Sequence, residues 1–118
     1  MHDTMEKAPR AILVGVDTGE YDAELSLAEL EELAATAGVE TAATTLQKRP
    51  KPDAATVVGS GRLQDIRASA EELEAGLLIF DCELTGSQTR NIEDATGCAV
   101  IDRTTLILDI FAQRARSS

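Results

Sequence analysis

Residues 77–101 read LLIFDCELTGSQTRNIEDATGCAVI, and they carry the clearest pattern in the sequence. The apolar run Leu77–Phe80 predicts a fully buried strand. Thr85–Gln88 has the spacing of a capping box and predicts a helix, which Gly97 is expected to end. The second apolar run, Cys98–Ile101, predicts another buried strand. Two buried strands joined by a helix form a crossover unit, so we expect the two strands to be parallel.

The same alternation of strands and helices continues toward the N-terminus. The apolar run Ala11–Val16 predicts a buried strand, and Val39–Leu46 predicts a half-exposed one. Ser26–Glu29 fits a second capping box, and Gly38 is expected to stop the helix that it opens. The apolar residues of this helix at helical spacing are Leu27, Leu30, Leu33, Ala34 and Ala37.

The remaining segments complete the prediction. The proline-containing stretch 48–53 predicts a loop. Ala55–Val58 predicts a short strand, and Arg62–Ala75 predicts a helix that stops at Gly76. Asp102 is expected to cap a last helix, Arg103–Arg116, whose apolar side comprises Leu106, Ile107, Ile110 and Phe111.

These elements predict an α/β fold, with a mostly parallel sheet of four to five strands and helices on both faces. Residues 1–10 are expected to be a flexible tail, and residues 11–118 to form a single subdomain. The sequence shows no internal repeat.

Composition excludes several classes of function. The 118 residues include 21 acidic and 11 basic side chains, a formal net charge of −10. This balance argues against broad binding to a phosphate backbone, although a local basic patch stays open. The single histidine, His2, lies in the expected tail, and no P-loop motif is present. We therefore expect no catalysis by this chain and no zinc site.

The expected location is the cytoplasm. No apolar run approaches the roughly 18 residues of a membrane span, and the polar N-terminus does not resemble a signal peptide. Cys82 and Cys98 are then expected to be two reduced thiols.

Polar residues follow several predicted strands. Asp17 follows the first strand, Gly59–Gly61 the third, Asp81 with Glu83 the fourth, and Asp102 with Arg103 the last. Because the carboxyl ends of parallel strands share one edge of the sheet, we expect these residues to lie along one rim. Either they form a Mg²⁺ or phosphate site, with Asp17 and Asp81 as only weak metal candidates, or they only end strands and cap helices.

The segment Gly59-Ser60-Gly61-Arg62 stands at a predicted helix start, where main-chain N–H groups can bind an anion. Gln64 occupies the position of the third glycine of the dinucleotide-binding fingerprint, however. The segment is therefore either a phosphate loop or a tight turn between a strand and a helix.

Two further alternatives concern the rim. The polar stretch Asp81–Glu93 predicts either a solvated helix face or a docking surface for another domain. A receiver-like signalling domain needs two adjacent acids after its first strand and a lysine after its fifth. This chain has only Asp17 and Arg103 near those places, which disfavours that class.

Two motifs in this sequence resemble the N-terminal domain of the HflX family of ribosome-associated GTPases. The first is Asp81–Glu93 (DCELTGSQTRNIE), and the second is Val100–Ala115 (VIDRTTLILDIFAQRA). Leu13–Asp17 and the loop Gly59–Asp65 match more weakly. Gly86 stands where the family has proline, and Arg62 and Asp65 stand where it has lysine and glutamate. Together these matches cover nearly the whole chain.

The resemblance implies a non-catalytic module of a GTP-binding protein. In the family, a helical hairpin and a P-loop GTPase domain follow this region, and both are absent from this chain, so it is expected to be an excised subdomain or a short relative. It implies no cofactor here, but GTP and Mg²⁺ in the full-length protein. The resemblance implies that the full-length protein binds the large ribosomal subunit in the cytoplasm and acts in translation and the stress response. Whether this part of the protein contacts RNA directly stays open.

The resemblance also implies roles for particular residues. An interdomain polar network is expected from Asp81, Glu83, Gln88, Arg90 and Asn91, and the anchor of the last helix from Asp102, Arg103 and Thr104. The alternative is a stand-alone nucleotide- or phosphate-binding domain that uses the Gly59–Gly61 loop and the acidic rim.

Overall fold

The computed structural model describes the backbone of residues 8–116 and the side chains of residues 8–113. Residues 1–7 of the expected tail, His2 among them, lie outside the described residues, whereas Arg10 already belongs to the first strand. None of the helices within residues 8–116 is long and apolar enough to cross a membrane. The elements in chain order are β1 (Arg10–Asp17), α1 (Ala23–Thr36), β2 (Glu40–Lys48), α2 (Ser60–Leu73), β3 (Leu77–Phe80), α3 (Gly86–Thr96), β4 (Ala99–Asp102) and α4 (Arg103–Arg116).

The four strands form one parallel sheet in the order β2-β1-β3-β4. The chain passes from β1 outward to β2, crosses back to β3, and then moves outward to β4. The direction of winding therefore reverses between β1 and β3, which are neighbours at the centre of the sheet. The predicted parallel α/β architecture is confirmed.

Helices cover both faces of the sheet, because the central strands are apolar on both sides. The face covered by α2 and α3 buries Ile12 and Val14 of β1, while the opposite face, covered by α1 and α4, buries Leu13. The helices contribute their own apolar residues to these two cores: Leu63, Ile66, Ala70 and Ile92 on one face, and Leu27, Leu30, Ala34 and Leu106 on the other.

Most of the predicted helix ends are confirmed. Thr85 Oγ1 accepts from the Gln88 N–H at 3.1 Å, and Gln88 Oε1 accepts from the Thr85 N–H at 3.0 Å, which completes the capping box. Gly97 ends α3 with φ of 73°. The carboxylate of Asp102 accepts from the Thr105 N–H at 2.9 Å and caps α4. These local motifs therefore set the boundaries of α3 and the start of α4.

Two predicted helix ends are wrong. The capping box at Ser26 does not form, because α1 begins at Ala23 and the Asp22 carboxylate caps it by accepting from the Leu25 N–H at 3.1 Å. An aspartate is as good a cap as a serine, and this one comes first along the chain. Helix α2 ends at Leu73 with Glu74 in the left-handed region at φ of 57°, before it reaches Gly76.

The predicted strand Ala55–Val58 is also wrong, because this segment is a turn. The Asp53 carboxylate accepts from the N–H groups of Ala55 and Thr56, at 2.8 and 3.0 Å, and these hydrogen bonds hold its pKa below the ordinary value. Val57 follows with φ of +70°, and the Val58 N–H donates back to Thr56 O at 2.7 Å. The aspartate side chain thus gives the backbone hydrogen bonds that compete with strand pairing.

The aromatic residues provide a direct test of the core. Phe80 on β3 is fully buried, whereas Phe111 on α4 is 61% exposed. Phe80→Ala is expected to lower the free energy of unfolding by about 3–5 kcal/mol, since it leaves a cavity between sheet and helices. The matched variant Phe111→Ala is expected to change it by less than about 0.5 kcal/mol. Urea unfolding followed by circular dichroism measures both, and equal effects would contradict this placement of the core.

Candidate functional site

Polar residues gather at the carboxyl ends of β1, β3 and β4, as the parallel sheet predicts. We call this edge the rim, and it comprises Asp17, Asp81–Leu84 and Asp102–Thr104. Ligands of open α/β sheets bind at this edge, next to the point where the winding reverses. The rim is therefore the first candidate for a functional site.

An ion pair between Asp81 and Arg103 lies at the centre of the rim. Arg103 Nη1 donates to Asp81 Oδ1 at 2.7 Å, and the side chain of Asp81 is only 2% exposed. The same nitrogen donates to Ser26 Oγ at 3.0 Å, and Nη2 lies 3.4 Å from Glu29 Oε1. One guanidinium thus joins the end of β3, helix α1 and the first residue of α4.

The neighbouring polar groups of the rim also pair with each other. Asp102 Oδ2 accepts from the Leu84 N–H at 2.9 Å, and Thr104 Oγ1 donates to Glu83 Oε2 at 3.4 Å. Burial raises the pKa of Asp102, but hydrogen bonds from the Leu84 and Thr105 N–H groups outweigh it, so the pKa lies below its ordinary value. Asp102 therefore caps helix α4 and also binds the loop that follows β3.

Tyr21 lies beside the rim and Cys82 lies within it, and sequence reasoning gave neither side chain a role there. The Tyr21 hydroxyl donates to Val16 O at 2.9 Å, and burial and then the Asp81 carboxylate raise its pKa. Burial, and then the Asp81 and Asp102 carboxylates, raise the pKa of the Cys82 thiol to about 11. Both groups are held in their neutral forms, so neither is activated as a nucleophile. Tyr21 is the single tyrosine of the sequence and lies in the loop after β1. This position was the only sequence feature that could have indicated its place near the rim.

The two weaker metal candidates have partners within the protein. Asp17 Oδ1 accepts from the Gly19 N–H at 3.0 Å, and Asp81 is paired with Arg103. Within residues 8–116, no group of three or more His, Cys, Asp or Glu side chains is arranged to hold a metal ion. In the described residues, the Asp17 and Asp81 carboxylates thus accept hydrogen bonds from groups of the protein itself.

The glycine loop at the start of α2 is bound to strand β2. The Gly59 N–H donates to Gln47 Oε1 at 3.0 Å, and Arg62 Nη1 donates to Thr45 Oγ1 at 3.0 Å. A Cβ at Gly59 would lie 3.0 Å from Arg49 Nη1, so this arginine packs against the loop. Of the loop residues Gly59, Ser60, Gly61 and Arg62, the first thus uses its N–H and the last its guanidinium in contacts to β2.

The polar side chains of α3 divide into two groups. Gln88 Nε2 donates to Ala54 O at 3.2 Å and Asn91 Nδ2 to Ala55 O at 3.1 Å, so both amides hold the turn before α2. Arg90 is exposed, and no ion pair joins it to another described residue. It borders a cleft of about 380 Å³ beside β4, which is also lined by Leu84, Gly86, Thr89, Glu93, Val100, Ile101, Asp102 and Thr105.

The structure thus divides the predicted docking residues between internal and external positions. Asp81, Asp102 and Arg103 hold α4 on the sheet, while Arg90 remains available at the surface. The class of structure is a doubly wound α/β domain whose rim, in the described residues, is bridged by its own ion pair.

A family model described as the GTP-binding GTPase N-terminal domain matches residues 24–112. The chain therefore belongs to this family, and it corresponds to the N-terminal part of HflX GTPases.

Relatives described as GTPase HflX are similar along the whole chain. The protein from Caldanaerobacter subterraneus is 44% identical over 99% of this chain and 27% of its own length. The protein from Alkalihalophilus pseudofirmus is 51% identical over 90% of this chain and 26% of its own length. The Escherichia coli protein is 40% identical over 99% of this chain and 28% of its own length. The chain thus spans about a quarter of these relatives.

Solved structures show the same fold at lower identity. The crystal structure titled "SsGBP and GDP complex" superposes with a TM-score of 0.67 at 24% identity, over 93% of this chain and 31% of that one. A GTP-binding protein from Sulfolobus solfataricus in complex with GDP superposes with a TM-score of 0.64 at 23% identity, over 88% of this chain and 30% of that one. At this identity the likeness concerns the fold alone.

A double-mutant cycle tests the central ion pair. Asp81→Asn and Arg103→Met, singly and together, are expected to give a coupling energy of about 2 kcal/mol, because the carboxylate is buried. The matched cycle uses Arg67 and Glu71, an exposed pair 3.8 Å apart on α2, for which about 0.5 kcal/mol or less is expected. Urea unfolding of the variants measures both, and coupling energies of equal size would show that burial gives the central pair no advantage.

The Cys82 thiol is expected to react slowly at neutral pH. A pKa of about 11, against the reference value of 9.0, lowers the thiolate population about 100-fold at pH 8. In the folded chain of a Cys98→Ala variant, the rate of alkylation by iodoacetamide is expected to keep rising with pH up to about pH 11. The same variant unfolded in urea serves as the control, and its alkylation rate should have the pH dependence of an ordinary thiol. Identical pH profiles in both states would contradict the shift.

Proposed function

We propose that this chain is a non-catalytic module of an HflX-type GTP-binding protein, which docks on and regulates the GTPase domain of the same polypeptide. Through that polypeptide it supports binding to the large ribosomal subunit in ribosome splitting or rescue. GTP and Mg²⁺ are held by the GTPase domain in this proposal, and this chain contributes no catalytic residue.

Family membership is the observation that carries the proposal. The chain matches HflX GTPases over nearly its whole length but spans only about a quarter of theirs. The Gly59 N–H of its own glycine loop already donates to Gln47, which favours a nucleotide site elsewhere in such a protein. The formal net charge of −10 favours contact with protein over contact with RNA.

Arg90 and its cleft are the proposed contact with the GTPase domain. An exposed arginine beside a cleft of about 380 Å³ offers a planar cationic donor to a carboxylate of a partner. Glu83 and Thr104 lie at the neighbouring part of the rim and are exposed. Gln88 and Asn91 act indirectly in this proposal, because both amides donate to the turn at residues 54 and 55.

Helix α4 is the proposed mechanical link to the rest of the polypeptide. Its first residue, Arg103, is held by Asp81 and Ser26, and its capping residue, Asp102, holds Leu84. These contacts fix the direction in which α4 leaves the sheet. A change at the rim would therefore reorient whatever follows this helix.

One observation favours the alternative, a stand-alone nucleotide- or phosphate-binding domain. Helix α2 starts at Ser60, its N-cap residue Gly59 provides no side-chain cap, and Arg49 lies against that glycine. Calorimetric titration of the 118-residue chain with GTP, ATP and Mg²⁺ separates the two functions. Binding heat that Arg49→Ala abolishes would support the alternative.

The docking role is tested by Arg90→Ala in a polypeptide that also contains the GTPase domain. We expect nucleotide-dependent binding to large ribosomal subunits to weaken about tenfold, which corresponds to one lost charge-assisted contact. Co-sedimentation with purified subunits and the steady-state GTPase rate are the measurements.

The control for this experiment is Arg67→Ala, an exposed arginine on α2 that pairs only with Glu71 among the described residues. It should leave both quantities unchanged. If Arg90→Ala also leaves ribosome binding and the GTPase rate unchanged, the proposed docking role is wrong.

A further inference from the structure

Strand β2 forms one edge of the sheet and is unusually long for an edge strand. It has nine residues, whereas β4 at the opposite edge has four. Within residues 8–116 no other segment pairs with the outer side of β2. An edge of this kind presents a row of unpaired main-chain donors and acceptors to any extended chain.

The main-chain groups on this outer side can be identified. The Arg49 N–H donates to Asp17 O at 3.0 Å and so points inward to β1. Because N–H and C=O groups alternate in direction along a strand, those of Leu46 and Thr44 point outward. Both residues lie in the regular part of the ladder, beyond the register shift near the start of β2.

The features that usually protect an edge strand are mostly missing from this one. Residues 41–47 read TAATTLQ and contain no charge and no proline. The charged residues Glu40 and Lys48 stand only at the ends, and the single irregularity of the ladder lies near residue 42. Threonine and leucine are also compatible with strand pairing.

The α1 side of this edge is acidic, whereas Arg62 lies on its α2 side. A groove of about 380 Å³ runs between α1 and β2, and Glu24 and Glu31 lie along its helix side, while Thr44 and Leu46 lie along its strand side. Helix α1 carries four glutamates and no basic residue in its 14 positions. The electrostatic field at this groove therefore attracts positive charge.

We propose that the outer edge of β2, with the acidic side of α1, is a docking site for an extended, lysine- or arginine-rich protein segment that adds to the sheet as a fifth strand. Main-chain pairing to Thr44 and Leu46 supplies the affinity, and Glu24 and Glu31 select basic side chains. A second copy of this chain is disfavoured as occupant, because each copy carries a formal net charge of −10 and would bring glutamates together.

The site does not depend on the proposed docking through Arg90, which lies by β4 at the opposite edge of the sheet. The two proposals can therefore fail separately. Loss of one contact would leave the other measurable in the same chain.

The probe is a synthetic peptide of nine residues, the length of β2, in which lysine alternates with valine and threonine. We expect it to bind the 118-residue chain at low ionic strength, with the largest NMR amide shifts at Thr44 and Leu46. A peptide with glutamate in place of lysine should not bind. Added salt should weaken the binding, since the selecting charges are exposed.

Two sets of variants separate pairing from charge. Thr44→Pro removes the outward N–H and should weaken binding about tenfold, whereas the matched Thr44→Val keeps it and should not. Circular dichroism checks that both variants fold. The double variant Glu24→Gln, Glu31→Gln keeps the strand edge and should weaken binding of the lysine peptide and reduce its salt dependence.

Several results would overturn the proposal. One is equal binding of the lysine peptide by the proline and valine variants, and another is equal binding of the lysine and glutamate peptides. Amide shifts confined to another surface would do the same. Sedimentation showing a dimer that Thr44→Pro dissociates would identify a second copy as the occupant instead.

Discussion

The buried carboxylate of Asp81 imposes the constraint on which the arrangement of the rim depends. A carboxylate that is 2% exposed is unfavourable unless a cation and hydrogen bonds compensate for its lost hydration. Arg103 supplies that charge from the first residue of α4, directly after β4, and also reaches Ser26 on α1. The end of β3, helix α1 and helix α4 therefore keep one relative geometry. The pairing of this single charge thus constrains the direction of α4, together with the Asp102 cap and the buried Leu106.

Because residues of the rim pair with one another, fewer of their polar groups are available to a partner. The groups that an α/β sheet usually presents to ligands are paired here with each other, and the glycine loop is bound to β2. Two surfaces proposed for recognition lie at the edges of the sheet: Arg90 and its cleft beside β4, and the open strand β2 beside the acidic α1. Contacts with protein at these edges are what we propose for a chain that corresponds to the N-terminal part of HflX GTPases.

Sequence reasoning succeeded where the pattern was local. The apolar run Leu77–Phe80 and the capping box at Thr85 are each contained within a few residues, and both are confirmed. It failed at Ala55–Val58, which is apolar enough for a strand. The N–H groups of Ala55 and Thr56 donate to the Asp53 carboxylate instead, and the segment forms a turn. The same difference between local patterns and long-range contacts applies to the candidate functional site. Parallel strands predicted the rim, but contact between Arg103 and Ser26 joins residues 77 positions apart and only the fold reveals it.

Amide hydrogen exchange of the Arg103→Ala variant tests most directly whether this arginine holds α4 in place. The account predicts that the amides of α4 around Leu106 and Ile110 exchange at least about tenfold faster than in the unchanged chain, while those of β1 keep their protection. Local opening of α4 would then depend on the rim, as the geometry requires. Unchanged protection of α4 in the variant would contradict the account, because the helix would then be held by its apolar packing alone.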